Sequence, residues 1–96
     1  MPQEGQKQEY FVYLLSCKDG SLYCGSAKNV QKRLQTHASG KGAKYTKSRL
    51  PVSLVYVERC ADQSAALKRE WQIKRLTRSQ KLALVATWRK GEDAPF

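Results

Sequence analysis

The chain has 96 residues, enough for one domain with a single modest core. An apolar fraction of 41%, with two Trp and five Tyr, excludes a disordered chain, and no apolar run approaches the roughly 18–20 residues of a membrane span. Eighteen Lys and Arg against eight acids give a formal charge of +10, which suits a polyanionic partner, most simply nucleic-acid phosphate.

Residues 1–9 are polar and read as a flexible N-terminal tail without the apolar stretch of a secretory signal, so a cytoplasmic location is expected. Tyr10 to Cys17 is rich in aromatic and branched residues and predicts a strand, with Leu22 to Gly25 as its hairpin partner. Two turns can join them. A two-residue loop at Asp19-Gly20 pairs Ser16 with Tyr23 and puts Tyr13 and Tyr23 on opposite faces. A three-residue loop, Lys18-Asp19-Gly20 with a left-handed Gly20, pairs Leu15 with Tyr23 and Tyr13 with Gly25. The second register is the expected one. It gathers both phenols on one face and leaves an open spot at Gly25, across from Tyr13.

Asn29 is a good N-cap for a helix with Val30, Leu34 and Ala38 on its apolar stripe, ended by Ser39-Gly40-Lys41-Gly42. Ala43 to Arg49 is basic and polar around Tyr45 and reads as a loop. Val52 to Cys60, after Pro51, predicts a third strand. Its apolar residues fall on both faces, Val52, Leu54 and Tyr56 on one and Val55 and Val57 on the other, which suggests a central strand. Asp62-Gln63-Ser64 offers caps for a helix from Ala65 to Leu76. Thr77-Arg78-Ser79-Gln80 matches a capping box and starts another helix, carrying Leu82, Val85, Ala86 and Trp88. The order β-β-α-β-α-α predicts an α+β domain over residues 10–90, a small sheet flanked by helices, with residues 91–96 as a C-terminal tail.

The positive charge is clustered. Lys28, Lys32, Arg33, Lys41, Lys44, Lys47 and Arg49 follow one another with no acid between them, and Lys68, Arg69, Lys74, Arg75, Arg78 and Lys81 surround the lone acid Glu70. An aromatic among cations suits stacking on a base or tracking a backbone, so Lys28, Lys32, Lys44, Tyr45, Lys47 and Arg49 are candidate nucleic-acid-binding residues. Cys17, Cys24 and Cys60 form no C-x-x-C pair and read as small apolar residues in a reducing compartment, with no disulfide-linked partner.

Arg33 and His37 are spaced i, i+4 and share a helix face, and Glu70 lies near the edge of an apolar helix face. Taken singly, each has an ordinary reading: a solvated cation, a helix-end histidine, and a carboxylate paired with Lys74 at i+4. Hydrolysis of a phosphodiester needs a deprotonated water, a cation on the non-bridging oxygens and a Lewis acid for the leaving oxygen. Tyr13 or Tyr23, Arg33 and a divalent ion on Glu70 are the residue types that could meet those needs.

At these positions the chain resembles the GIY-YIG nucleases. The first half of that signature appears as Val12-Tyr13-Leu14 and the second as Tyr23-Cys24-Gly25, with the later family positions matched by Arg33, His37 and Glu70. Asp19-Gly20-Ser21-Leu22-Tyr23 and Gly40-Lys41-Gly42-Ala43-Lys44-Tyr45-Thr46 are similar to the small stand-alone members. The resemblance implies a three-stranded antiparallel sheet and a metal-dependent phosphodiesterase in which tyrosine activates water. Tyr13, Tyr23, Arg33, His37 and Glu70 would be catalytic, with Glu70 holding a single Mg²⁺ or Mn²⁺, Gly20 and Gly25 structural, and Tyr13 the base that passes its proton to His37.

The chain departs from the pattern at Val12 and Cys24, which replace the signature's apolar and glycine residues. It also departs at Ser26, where larger members carry lysine, and at Leu82, where they carry asparagine. The expected function is DNA endonuclease activity by a monomer without a membrane partner. The alternative is a nucleic-acid-binding module that keeps the fold without turnover.

Overall fold

The computed structural model describes residues 9–88; all but the last residue of the tail expected at 1–9, the tail expected at 91–96 and the end of the domain at 89–90 lie outside the described residues. Seven elements follow in order: β1 (Tyr10–Ser16), β2 (Leu22–Ala27), α1 (Val30–Ala38), a single-turn α2 (Lys44–Lys47), β3 (Ser53–Cys60), α3 (Gln63–Lys74) and α4 (Arg78–Thr87). The strands form one antiparallel sheet in the order β2-β1-β3. The α+β class and the β-β-α-β-α-α order of the main elements hold, with the single turn of α2 added between α1 and β3. Among the described residues no helix is long and apolar enough to cross a membrane.

The hairpin takes the three-residue loop. Tyr13 pairs with Gly25 and Leu15 with Tyr23. Cys17 N–H donates to the Ser21 carbonyl at 2.9 Å, and Gly20 turns the chain at φ 84°, a left-handed conformation that side chains with a Cβ resist. Asp19 tightens the tip by accepting from both the backbone N–H and the hydroxyl of Ser21. Two long-range bonds then hold the tip against the rest of the fold: Lys18 N–H to the Arg49 carbonyl at 2.9 Å and Arg78 Nη1 to the Gly20 carbonyl at 2.8 Å.

The central strand is β1, not β3. Phe11, Val12, Tyr13, Leu14 and Leu15 are all buried, so β1 carries the two-sided apolar run that a covered strand requires. One face packs Phe11, Tyr13 and Leu15 with Ala27, Val30, Leu54 and Val57 beneath α1. The other packs Val12, Leu14 and Cys24 with Tyr56, Ala66 and Ile73 beneath α3 and α4.

β3 lies at an edge, and its mixed pattern has a different cause. Leu15 pairs with Leu54 but Leu14 pairs with Tyr56, so Val55 is an extra residue that shifts the register. This bulge reverses which residues face which side. Leu54 therefore joins Val57 on the α1 face, while Tyr56 joins the α3 face, against the alternation expected from the sequence.

Helix starts follow their caps. The Asn29 carboxamide accepts from Lys32 N–H at 3.0 Å, Asp62 accepts from Ala65 N–H at 2.8 Å, and Thr77 and Gln80 form the reciprocal capping box. The segment expected to be a loop at Ala43–Arg49 instead contains α2. A single turn has little intrinsic stability. Here tertiary bonds hold it, through Thr46 to His37 and Arg49 to Asp19.

Replacing Gly20 by Ala should lower stability by about 1–2 kcal/mol, read as a lower urea midpoint with an unchanged slope. No loss would mean that the turn does not need its left-handed residue.

Candidate active site

Tyr13 stands on the central strand and points toward α1. Its ring lies directly on the backbone of Gly25: a Cβ there would sit 2.6 Å from Tyr13 Oη and 2.8 Å from Cζ. The spot expected to be open is therefore filled by Tyr13 itself, and only glycine tolerates that approach.

The phenol meets His37 from the last turn of α1, with Oη 3.1 Å from Nε2. The other ring nitrogen, Nδ1, lies 2.8 Å from Thr46 Oγ1, and the Thr46 hydroxyl is 3.0 Å from the Ala43 carbonyl. These bonds fix the direction of the chain. A carbonyl only accepts, so Thr46 donates its one hydrogen to Ala43 and accepts from His37 Nδ1–H. Nε2 then carries the lone pair and Tyr13 donates to it. His37 is 1% exposed and is hemmed in by Gly42, where a Cβ would come within 2.8 Å of His37 Cα.

Burial, seconded by the positive charge of Arg33, lowers the His37 pKa from its ordinary value and so favours the neutral ring. Burial raises the Tyr13 pKa well above the usual phenol range; Tyr23, Glu70 and Cys24 add to the rise and Arg33 opposes it. Tyr13 thus rests as a neutral phenol with its proton aimed at an unprotonated imidazole.

The half-buried Tyr23 packs its ring against the same histidine, with centroids 5.3 Å apart. Beyond it, Tyr45 lies 5.8 Å away at an interplanar angle of 31°, and the Arg49 guanidinium sits 4.0 Å over the Tyr45 ring. Arg49 is held there by Asp19 at 2.9 Å and by the Tyr45 carbonyl at 2.9 Å. It is therefore part of a fixed aromatic column and not a free surface cation.

Glu70 approaches from the opposite face of the sheet. Because β2 is an edge strand with alternating side chains, Tyr23 and Gly25 face α1 while Cys24 and Ser26 face α3. Ser26 Oγ donates to Glu70 Oε1 at 2.7 Å, and Lys74 Nζ lies 2.8 Å from Oε2. The Cys24 thiol, whose pKa is pushed up to about 12 mainly by burial, contacts the Glu70 carbonyl at 4.0 Å. Glu70 thus lies across the β2 edge from the Tyr13–His37 pair, and its charge adds a little to the rise of the Tyr13 pKa.

Arg33 is exposed one turn before His37, and its charge acts on both His37 and Tyr13. Lys28, Lys32 and Arg33 line a shallow groove at the start of α1 with Thr36, and Lys44 and Lys47 line a second with Gly42 and Ser48. Sequence reasoning singled out none of Ser26, Thr46 and Gly42 as site partners. Ser26 shares the Cys24 face of β2 by simple alternation, but its partner lies 44 residues on. Gly42 and Thr46 lie in a stretch that carries the family resemblance, but nothing local in it links either residue to His37.

Among the described residues no group of three or more His, Cys, Asp or Glu could cage a metal ion. A single carboxylate does suit Mg²⁺ or Mn²⁺, hard cations that keep several waters and take their remaining ligands from substrate phosphate. Glu70 fits that description, since its carboxylate is held at a defined place by Ser26. The three cysteines are free thiols, Cys17 and Cys24 buried and Cys60 half-buried.

A family model of the GIY-YIG catalytic domain matches residues 9–83. A UPF0213 protein of Staphylococcus epidermidis is 56% identical over 77 residues, covering 80% of this chain and 94% of that protein. A UPF0213 protein of Staphylococcus saprophyticus is 51% identical over 78 residues, covering 81% and 95%. Among solved structures, the solution structure of a UPF0213 protein from Bacillus halodurans is 40% identical and superposes with a TM-score of 0.54 over 91% of this chain and 88% of that one. A solution structure of a protein from E. faecalis, also 40% identical, gives 0.58 over 84% and 86%.

The lowered His37 pKa has a stability consequence of definite sign. Below about 6.5, the ordinary value for histidine, the unfolded chain binds more protons than the folded one, so stability rises with pH up to that point and then levels off. Urea midpoints of the wild type and His37→Asn between pH 5 and pH 8 check this. The wild type should show the rise and the variant should lack it; a wild-type midpoint that falls over this range would contradict the assignment. Separately, Gly42→Ala should cost roughly 1–3 kcal/mol of stability, the usual scale for overpacking against a buried side chain.

Proposed function

Because the chain belongs to the GIY-YIG family, we propose that it is a divalent-metal-dependent endonuclease that hydrolyses DNA phosphodiester bonds with water activated through Tyr13. The observation that carries this reading is the directed chain Tyr13 Oη–H to His37 Nε2, with Nδ1–H committed to Thr46. A buried phenol with a raised pKa is a poor free-standing phenolate. With a neutral imidazole as acceptor it need never be one: Tyr13 takes a proton from water as it gives its own to His37.

The other residues take complementary parts. Arg33 supplies positive charge for the non-bridging phosphate oxygens. Tyr23, whose hydroxyl has no hydrogen-bond partner among the described residues, is free to orient water or phosphate. Glu70 would hold the metal ion, which when bound supplies Lewis-acid stabilisation of the leaving oxygen. Lys28, Lys32, Lys44 and Lys47 are exposed and offer phosphate contacts along the strand. Tyr45, backed by Tyr23 and covered by Arg49, offers an aromatic surface beside them.

A plasmid-nicking assay with Mg²⁺ or Mn²⁺ tests the proposal. Tyr13→Phe and Glu70→Ala should each lower the rate by about 10²–10³-fold while the fold persists. The wild-type rate should rise with pH along an acid limb centred below about 6.5, following His37 deprotonation. Equal nicking by all three proteins would refute the catalytic assignment. Salt-sensitive DNA binding without nicking would mark the chain as a binding module.

A further inference from the structure

The Glu70 carboxylate is only 17% exposed, and its two oxygens are treated differently. Oε1 accepts from Ser26 on the neighbouring strand, a short side chain fixed by the sheet. Oε2 is covered by the ammonium of Lys74, one turn further along α3, whose side chain is 53% exposed and ends on a flexible four-carbon stem. The Glu70 main chain is itself placed by packing of α3 on β2, where Cys24 reaches its carbonyl. One oxygen is thus anchored by a rigid group, and the other by a cation able to leave.

We propose that Lys74 is a resident counter-ion that occupies the cation position of Glu70 and yields Oε2 when a divalent ion binds, while Ser26 keeps Oε1 in place. This deepens, and rests on, the reading of Glu70 as the metal-holding carboxylate. The physical reason is charge. A half-buried carboxylate without a partner is costly, so the chain needs a cation there before any metal arrives. A lysine serves where an arginine would not: its ammonium is a point charge that releases without breaking a bidentate fork. Lys74 acts on the metal through Glu70 and is a positioning residue.

The consequence is competition. Lys74→Met removes the resident cation and should tighten Mn²⁺ binding by roughly fivefold, the scale of a partly exposed ion pair converted at tenfold per 1.36 kcal/mol. A through-space effect of deleting any positive charge has to be separated from displacement. Lys81 provides the control, because its charge, like that of Lys74, reaches Cys24 beside the site, and no bond joins it to Glu70 among the described hydrogen bonds and ion pairs. Lys81→Met should change Mn²⁺ affinity by less than about twofold.

Isothermal titration of Mn²⁺ into the wild type, Lys74→Met, Lys81→Met and Glu70→Ala, without DNA, reads these affinities. Circular dichroism confirms that each variant is folded. In parallel, Mg²⁺ titration of the wild type should move the side-chain NMR resonances of Lys74 together with those of Glu70. Tighter binding by Lys74→Met alone, with Lys74 resonances following the metal, supports displacement. Unchanged or weaker binding by Lys74→Met, equal tightening by Lys81→Met, or Lys74 resonances that stay fixed would overturn it. A nuclease that nicks DNA but shows no Lys74 effect loses this inference and keeps its function. A wild type that binds Mn²⁺ no better than Glu70→Ala loses both the inference and the metal role of Glu70.

Discussion

The hydrogen bond between Tyr13 and His37 is the constraint on which the site depends, and most of the local structure can be read as what that bond requires. A tyrosine on the central strand reaches a histidine on the flanking helix only if both approaches are free of side chains. Gly25 allows the ring to lie on the strand beside it, and Gly42 allows the backbone to pass against the imidazole. The bond also needs the correct tautomer, and Thr46 supplies it by engaging Nδ1. The single turn of α2 exists to present that hydroxyl, and its ties to the hairpin through Arg49 and Asp19 keep it there.

The sheet order explains how the groups of the proposed site are carried on opposite faces beside one edge. With β1 buried on both sides, β2 is left at an edge, and its alternation sends Tyr23 to one face and Ser26 to the other. Helix α1 brings His37 and Arg33 to the first face, while α3 brings Glu70 to the second. A strand in the middle of the sheet would separate them by neighbouring strands. The electrostatics are arranged to match: burial holds Tyr13 protonated and favours neutral His37, while a hydroxyl and an ammonium engage the Glu70 carboxylate. Such opposed environments for two titratable partners are a usual means of assigning donor and acceptor.

Much of this was legible in the sequence where the signal is local. Gly20 and the length of its loop set the hairpin register, and the register set the shared face of the two tyrosines. Caps at Asn29, Asp62 and Thr77 marked the helix starts. The centrality of β3 was misread because its two-sided pattern arises from the bulge at Val55, which no local rule reveals, while β1 carried the longer two-sided run. Arg49 is a candidate nucleic-acid-binding residue in the sequence, but its bond to Asp19, 30 residues away, is visible only in the fold. Ser26 and Thr46 were missed for the same reason, because their roles exist only once distant segments meet.

On this geometry His37 is a neutral imidazole with its proton on Nδ1, so that Nε2 accepts the Tyr13 hydrogen bond. Long-range proton–nitrogen NMR of the imidazole, on the folded chain at neutral pH, tests this directly. The expected result is a protonated Nδ1 and an unprotonated Nε2, with that preference weakened in Thr46→Val. A proton found on Nε2 in the wild type would reverse the direction of the Tyr13–His37 bond and remove the proton acceptor that Tyr13 needs.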